Sequence, residues 1–242
     1  MILSSPPVNT DPFLLEIDHL VIYTAEPIAA VSMLQELGLH SSSQTLRRNN
    51  QGTASTIFFF ENIYLEIVWI EDYQKVQHYR TQTNIDILSR VNWKQTGASP
   101  FAIGLRQTTS LSRLPYGDDD NGISQRLNVN GWVNFASDNL ATLSEPICYS
   151  ISNLMALTTW LDNSSEEHQQ LITHPLNIKK LTDLQITLTQ HNLLTQAVSL
   201  LESHNLVSIN RGTAPQLDLT FDHHQQGQYI DVRPILPLVL KY

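Results

Sequence analysis

Two apolar runs decide the fold of this chain: Ile17-Asp18-His19-Leu20-Val21-Ile22-Tyr23-Thr24 and Tyr64-Leu65-Glu66-Ile67-Val68. Both are rich in β-branched and aromatic residues and are bounded by structure breakers, so both predict β-strands. Each run places one potential metal ligand among apolar residues, an imidazole in the first and a carboxylate in the second. Because side chains alternate along a strand, Tyr64, Glu66 and Val68 share one face.

The segment between these runs predicts a helix and then a hairpin. Pro27 suits the first turn of a helix, where its missing N–H group is not needed, and Gly38 suits the left-handed position that ends one. The turn at Glu61-Asn62 joins two further strand-like runs, at 55–60 and 63–70. Four apolar residues recur at a spacing of three and give the helix one apolar stripe: Ile28, Val31, Leu34 and Leu37.

The same order of elements recurs near the end of the chain. Ala30-Val31-Ser32-Met33-Leu34 is matched by Ala197-Val198-Ser199-Leu200-Leu201. Residues 18–24 match 183–189, and the run from Tyr64 to Val68 matches Tyr229-Ile230-Asp231-Val232-Arg233. Three matches in the same order indicate repeated strand-helix-strand-strand-strand units.

These patterns divide the chain into five predicted segments. The predicted helical connector begins with a stretch of irregular period, and the middle unit includes strand-like runs at 101–107, 124–130, 132–136 and 147–151. The predicted boundaries are a tail at 1–13, a first βαβββ module at 14–72, a helical connector at 73–97, a middle βαβββ-like module at 98–178 and a last module at 179–242.

Composition excludes several classes of function. The 242 residues carry a net charge of −9, and no basic cluster is larger than a pair, so we expect no nucleic-acid partner. A single cysteine, Cys148, excludes an internal disulfide framework and a thiolate zinc cluster. No secretory signal precedes Pro6-Pro7, and no apolar run approaches the ~20 residues that span a bilayer. We therefore expect a cytoplasmic protein without a membrane partner.

Together these stretches resemble the glyoxalase-like branch of the vicinal oxygen chelate superfamily, which includes bleomycin-resistance proteins and dioxygenases. The resemblance covers roughly residues 14 to 240. It implies an α+β fold in which βαβββ modules form curled mixed sheets, a half-open barrel around a metal or ligand cleft. The motifs that carry it are Ile17-Asp18-His19-Leu20-Val21, Gly52-Thr53, Tyr64-Leu65-Glu66-Ile67, Pro146-Ile147-Cys148-Tyr149 and His174-Pro175.

In such proteins a divalent ion chelates the substrate through two neighbouring oxygens, and the resemblance places ligands at His19 and Glu66. An imidazole and a carboxylate suit zinc, iron, manganese or nickel. The third ligand would be Asp231 of the last unit, or Ser150 through a water. Glu66 or a metal-bound water would act as the catalytic base.

Each of these residues also has a structural interpretation. His19 could be hydrogen-bonded within the sheet, and Asp231 could form a salt bridge with Arg233 or Arg211. Glu66 in its apolar run requires a cation or several donors, which indicates a partner without identifying it. Four large aromatic residues fit either an apolar cleft or a plain core: Trp69, Trp132, Trp160 and Tyr149.

Two functions follow from different classes. The first is a divalent-metal-dependent lyase, isomerase or dioxygenase that acts on a small oxygenated molecule. The alternative is a non-catalytic protein that binds a small molecule, as in antibiotic-resistance members, because Leu184, Ala54 and Ser150 stand where polar residues are expected. A cleft that has become purely structural, with a function carried by a partner surface, is a third. The protein is expected to be a monomer or a homodimer.

Overall fold

The computed structural model describes residues 15–107, 133–161, 165–190 and 192–242. The predicted tail at 1–13 and the strand-like run at 124–130 lie outside these ranges. The described residues form an α+β fold with two mixed sheets, and the larger sheet curls into a half-barrel, which confirms the predicted fold class.

The first unit has the predicted elements: β1 (Leu15–Tyr23), α1 (Pro27–Glu36), β2 (Leu46–Arg48), β3 (Thr53–Phe59) and β4 (Tyr64–Ile70). Helix α1 begins at Pro27, and Gly38 beyond its end takes a φ of +93°, a left-handed conformation that costs glycine little. Strands β3 and β4 form the predicted antiparallel hairpin, and β4 runs parallel to β1.

Alternation gives the larger sheet two chemically different faces. Leu20 of β1 and Leu65 of β4 point into a core that both sheets share. His19 and Glu66 point to the opposite, concave side, where both line one cavity. The predicted pair therefore shares a face, because the two strands lie side by side in a register that sets Val21 against Glu66.

Three short helices form the connector: α2 (Tyr73–Thr83), α3 (Ile87–Val91) and α4 (Trp93–Thr96). Asn84, the residue directly after α2, takes a φ of +61° and caps the end of that helix. The carboxylate of Asp86 then accepts a hydrogen bond from the backbone N–H of Ser89 and caps α3. The irregular period of this stretch thus reflects a break between two helices.

The middle unit extends the first sheet with β5 (Phe101–Gln107), β6 (Val133–Phe135) and β7 (Ile147–Ile151). The strand order is β2-β3-β4-β1-β5-β7-β6, so β1 lies at the centre, antiparallel to β5. The short helices α5 (Leu157–Trp160) and α6 (Glu166–Ile172) follow.

The last unit forms the second sheet from β8 (Leu181–Leu188), α7 (Gln196–Ser203), β9 (Ser208–Arg211), β10 (Gln216–Phe221), β11 (Tyr229–Asp231) and β12 (Leu238–Lys241). It begins with the strand-helix-strand-strand-strand order of the first unit and adds a fourth strand after the helix, and its strand order is β11-β12-β10-β8-β9. Strand β11 is therefore an edge strand, whereas β4 lies next to β1. The match between the two runs in sequence does not extend to their pairing.

The second sheet packs against the side of the first sheet that faces away from the cavity. Leu184 and Ile186 of β8 join the same apolar cluster as Leu20, Ile22 and Leu65. Helices α1 and α7 contribute Leu34 and Leu201 to this cluster, and each of these side chains is fully buried. No helix in the described part of the chain is both long and apolar enough to cross a membrane.

One asparagine joins the two sheets. The side-chain amide of Asn62, in the turn between β3 and β4, donates to the carbonyl oxygen of Leu181 at 2.9 Å. Its carbonyl oxygen accepts from the backbone N–H of Leu181, also at 2.9 Å. The side chain thus satisfies both backbone groups at the start of β8, as a neighbouring strand would.

We expect Asn62→Ala to lower the free energy of unfolding by about 1–3 kcal/mol, because both backbone groups of Leu181 lose their partners. Asn50→Ala, at an exposed turn position, is the matched control and should stay within ~0.5 kcal/mol of wild type. Urea unfolding followed by fluorescence measures both. Equal stability of the two variants would show that the junction does not depend on Asn62.

Candidate ligand-binding site

The concave face of the larger sheet encloses a cavity of about 440 Å³. This volume lies within the ~300–1,000 Å³ range of pockets that hold small organic ligands. Most of the lining is aliphatic or aromatic, and the polar groups converge at the sheet. The lining residues are His19, Val21, Tyr23, Leu46, Arg48, Gln51, Ile57, Tyr64, Glu66, Val68, Tyr79, Ile85, Val133, Phe135, Tyr149, Ile151 and Met155.

Glu66 is 2% exposed and is neutralised by an arginine from the short strand β2. The guanidinium Nη2 of Arg48 donates to Glu66 Oε1 at 2.5 Å, and the hydroxyl of Ser55 donates to the same oxygen at 2.5 Å. Arg48 Nη1 also donates to Ser55 Oγ at 3.1 Å. The cation that the sequence requires beside Glu66 is thus a side chain of the same chain.

This arrangement keeps Glu66 ionised. Burial by itself raises the pKa of Glu66, but the charge of Arg48, the nearby imidazole of His19 and the hydrogen bond from Ser55 outweigh burial, so the pKa lies below its ordinary value. Burial also works against the charge of Arg48, yet the adjacent carboxylate raises the pKa of that guanidinium. Glu66 is therefore a weak base at neutral pH.

His19 is fixed between two strands. Its ring stacks on the ring of Tyr64 with centroids 4.4 Å apart and an angle of 10°. On the neighbouring strand β5, a Cβ atom at Gly104 would overlap the imidazole, so only glycine leaves room for it. Nδ1 lies 2.8 Å from Asp18 Oδ1, and Nε2 lies 2.5 Å from the hydroxyl oxygen of Tyr149.

A β-bulge places Asp18 beside His19. Between Ile17 and His19 the register with β5 slips by one residue, so Asp18 is the extra residue of β1. Its second carboxylate oxygen accepts from the backbone N–H of Leu157 at 2.8 Å and from Arg106 Nη1 at 3.1 Å. Regular alternation would have turned this carboxylate toward the apolar core.

The bonding partners determine the tautomer of His19. Burial raises the pKa of Asp18, but hydrogen bonds from the imidazole of His19, from the N–H of Leu157 and from Arg106 together hold that pKa below its ordinary value. An ionised carboxylate can only accept, so Nδ1 carries a hydrogen, and in the neutral ring Nε2 accepts from Tyr149. Burial and the charge of Glu66 raise the pKa of Tyr149 well above its ordinary value, which keeps the phenol protonated.

The other predicted ligands lie elsewhere. Asp231 lies on the edge strand β11, where it forms a salt bridge with Arg233, and it does not line the cavity. Ser150 lies on β7 between two residues that do line the cavity, and its buried hydroxyl has no partner among the described residues. Alternation therefore turns Ser150 away from His19 and Glu66.

The residues that the structure describes do not fit a catalytic metal ion. Such an ion needs at least three protein ligands, and the described ranges contain no group of three His, Cys, Asp or Glu side chains that could hold one. Of the predicted set, only His19 and Glu66 share the cavity. Glu66 is already paired with a guanidinium, which competes with any metal for the same oxygen.

Sequence reasoning missed three of the residues that form the site: Asp18, Arg48 and Gly104. Arg48 could have been found, because Glu66 in its apolar strand requires a cation and Arg47-Arg48 is one of the two basic pairs in the chain. Among the aromatic residues, Tyr149 lines the cavity and Trp69 does not. Trp132 and the side chain of Trp160 lie outside the described part of the structure.

Comparison with known proteins identifies the family of this chain. A family model described as a glyoxalase-like domain matches residues 17–201. The chain belongs to this glyoxalase-like family. A solved structure of a hypothetical protein from Staphylococcus aureus is similar at a TM-score of 0.52 and 11% identity, over 94% of this chain and 99% of that one. At this identity the likeness concerns the fold alone. No curated protein matches the chain.

The match of the glyoxalase-like domain spans β1, β4, β5 and β7, so every strand that carries His19, Glu66, Gly104 or Tyr149 belongs to the shared domain. It ends within α7, before β9 to β12. The cavity is therefore part of the family domain, and most of the second sheet lies beyond the match.

The pKa of Glu66 predicts an acid-sensitive fold. Because this pKa is lower in the folded chain, Glu66 contributes stability above its unfolded pKa near ~4.3, and the contribution is lost as pH falls through the folded value. The unfolding free energy of wild type and of Glu66→Gln should fall as the pH is lowered from 7 to the lowest value at which both remain folded. We expect this fall to be about 1–3 kcal/mol smaller for Glu66→Gln than for wild type.

Glu71→Gln, which removes the more exposed carboxylate paired with Arg47, is the matched control and should follow the wild-type pH dependence. Urea titrations at several pH values measure all three proteins. A Glu66→Gln variant with the wild-type dependence on pH would contradict the lowered pKa.

Proposed function

We propose that this glyoxalase-like protein binds an uncharged small organic molecule in the concave cavity and requires no metal ion to do so. The observation that carries the proposal is the closed charge pair of Arg48 and Glu66 inside a largely apolar cavity of about 440 Å³. It favours the small-molecule-binding alternative over a metal-dependent lyase, isomerase or dioxygenase. A cytoplasmic location remains a prediction from the sequence.

Charge balance supports an uncharged ligand. The guanidinium of Arg48 offsets Glu66, and Arg106 offsets Asp18 behind the imidazole. An anionic ligand would have to compete with Glu66 for Arg48, and a cationic one with Arg48 for Glu66. Either exchange breaks a partly buried ion pair, which costs more than the new pair returns unless its geometry is better.

The polar groups at the sheet support a ligand with a hydroxyl or carbonyl oxygen. Tyr149 supplies an O–H donor and His19 supplies an acceptor nitrogen at the wall of the cavity. These two groups bond to each other at 2.5 Å, and a ligand oxygen can take the place of either partner. The aromatic rings of Tyr23, Tyr79 and Phe135 supply flat apolar surface around them. This combination suits a flat or aliphatic body with one oxygen at its end.

A matched pair of probes tests the proposal. Benzylacetone and hydrocinnamate have almost the same shape, but the first is an uncharged ketone and the second a carboxylate. We expect benzylacetone to bind with a dissociation constant of about 10 μM to 1 mM and hydrocinnamate at least tenfold more weakly. Isothermal titration in the presence of EDTA measures both, and added zinc or manganese should leave the result unchanged.

Ile57→Trp, which fills the cavity, should abolish binding of benzylacetone, whereas Ile28→Trp on the exposed side of α1 should retain it. Thermal unfolding confirms that both variants fold. Binding that requires a divalent ion, a preference for the carboxylate, or binding that persists in Ile57→Trp would each contradict the proposal.

Proton transfer is the second candidate function, and the chain of Asp18, His19 and Tyr149 favours it. When the O–H of Tyr149 turns from Nε2 to a bound carbonyl oxygen, the imidazole, with Nδ1–H held by Asp18, can take a proton at Nε2 from the carbon next to that carbonyl. The electron pair of that C–H bond moves to the carbonyl oxygen, which accepts a hydrogen bond from Tyr149. Return of the proton regenerates the ketone. In this reaction His19 takes the role of base that the sequence assigned to Glu66.

Deuterium incorporation into benzylacetone in D₂O, followed by NMR, tests this candidate. We expect exchange above the buffer rate, a loss of at least 100-fold in His19→Gln, and a smaller loss in Tyr149→Phe, which keeps the ring without the donor. His40→Gln, outside the cavity, is the control. If benzylacetone binds and exchange does not exceed the buffer rate, the catalytic candidate fails while the binding function stands.

A further inference from the structure

A second charged group lies buried next to the cavity wall, in α3, whose Ile87 and Val91 pack with Val21 and Tyr23 of β1. Arg90 of α3 is wholly buried, and it is the largest side chain among the fully buried residues of the described chain. Its Nη1 donates to two backbone carbonyl oxygens, those of Ser99 at 2.8 Å and Glu145 at 2.7 Å. These bonds use one nitrogen of three.

The other two nitrogens of Arg90 have no partner among the described residues. They are Nε and Nη2, the two that form one edge of the planar guanidinium. This edge presents two parallel N–H donors, the geometry that accepts an anion bidentately. The buried hydroxyl of Ser99, whose carbonyl already binds Arg90, also has no partner among the described residues.

The nearby carboxylates are engaged elsewhere. Asp86 accepts from Ser89 at the start of α3 and pairs with Arg80 at 3.1 Å. The carboxylate of Glu145 accepts from the backbone N–H and hydroxyl of Thr195. Neither carboxylate hydrogen-bonds to Arg90, so its charge has no direct counterion within the described chain.

Such a group is costly to bury. Burial lowers the pKa of Arg90 to about 10, and the surrounding groups Tyr23, Cys148, Asp86 and Glu145 only partly offset this effect. The side chain still carries its charge at neutral pH. A buried charge is normally paired, and a buried donor is normally satisfied by protein, water or an ion.

We infer that a monatomic anion, chloride under ordinary conditions, binds at the free Nε–Nη2 edge of Arg90 with the hydroxyl of Ser99 as an additional donor. A monatomic anion is the smallest group that can supply the missing charge at residues that are 0% (Arg90) and 2% (Ser99) exposed. A water molecule would satisfy the donors but would leave the positive charge without a counterion. The site is separate from the ligand cavity, which Arg90 does not line.

Anion-dependent stability tests this inference. At constant ionic strength, replacing sodium gluconate by sodium chloride or bromide should raise the unfolding temperature by roughly 2–6 °C, with saturation as the halide concentration increases. Gluconate is too large for the site, so it serves as the reference salt. An equal unfolding temperature in all three salts would overturn the inference.

Two variants separate the site from general salt effects. Ser99→Ala should weaken the halide dependence at least threefold in apparent affinity, and Arg90→Met should abolish it. Arg80→Met, which removes an exposed arginine of α2 close by, should retain the wild-type dependence. A halide effect that survives in Arg90→Met assigns the anion to another place and contradicts the site.

Should Arg90→Met fail to fold, the wild-type protein still decides the question. Crystals grown in bromide should show an anomalous scattering peak within hydrogen-bond distance of Nε and Nη2 of Arg90. Density without anomalous signal at that edge identifies a water molecule and overturns the inference.

Discussion

The site depends on one constraint, the burial of a carboxylate in the centre of an apolar sheet. Glu66 could not occupy β4 at 2% exposure without a cation and further donors beside it. Arg48 of β2 supplies the charge, and Ser55 of the neighbouring strand β3 supplies a hydrogen bond. The pairing holds the short strand β2 to the sheet and fixes the polarity of the concave face. Within the described chain, a guanidinium occupies the position beside Glu66 that the resemblance to metal enzymes would give to an ion.

The local part of this structure follows from the sequence. Strand alternation places Glu66 on the same face as Tyr64 and Val68, because the period of two depends only on neighbouring residues. The ends of α1 follow equally from Pro27 and Gly38, whose backbone preferences are intrinsic. The hairpin of β3 and β4 is local as well. Each of these features is determined within about ten residues.

The remainder depends on which strands become neighbours. The bulge that turns Asp18 toward His19 exists only in the register between β1 and β5, and Tyr149 reaches the imidazole from a strand 130 residues further along the chain. In the sequence Gly104 is an ordinary strand glycine, and its role becomes visible only when β5 pairs with β1 and places it against His19. The same limit explains Asp231: its sequence context resembles that of Glu66, but a different strand order in the last unit carries it to an edge.

That strand order has a consequence for the stoichiometry of ligand binding. In the last unit β8 lies between β9 and β10, and its Leu184 and Ile186 close the common core, so the position that matches His19 in sequence holds a core leucine. The repeated sequence pattern therefore does not imply a second ligand cavity. We expect one chain to bind one ligand molecule. The last unit should stabilise the sheet that forms the cavity by packing against its other side.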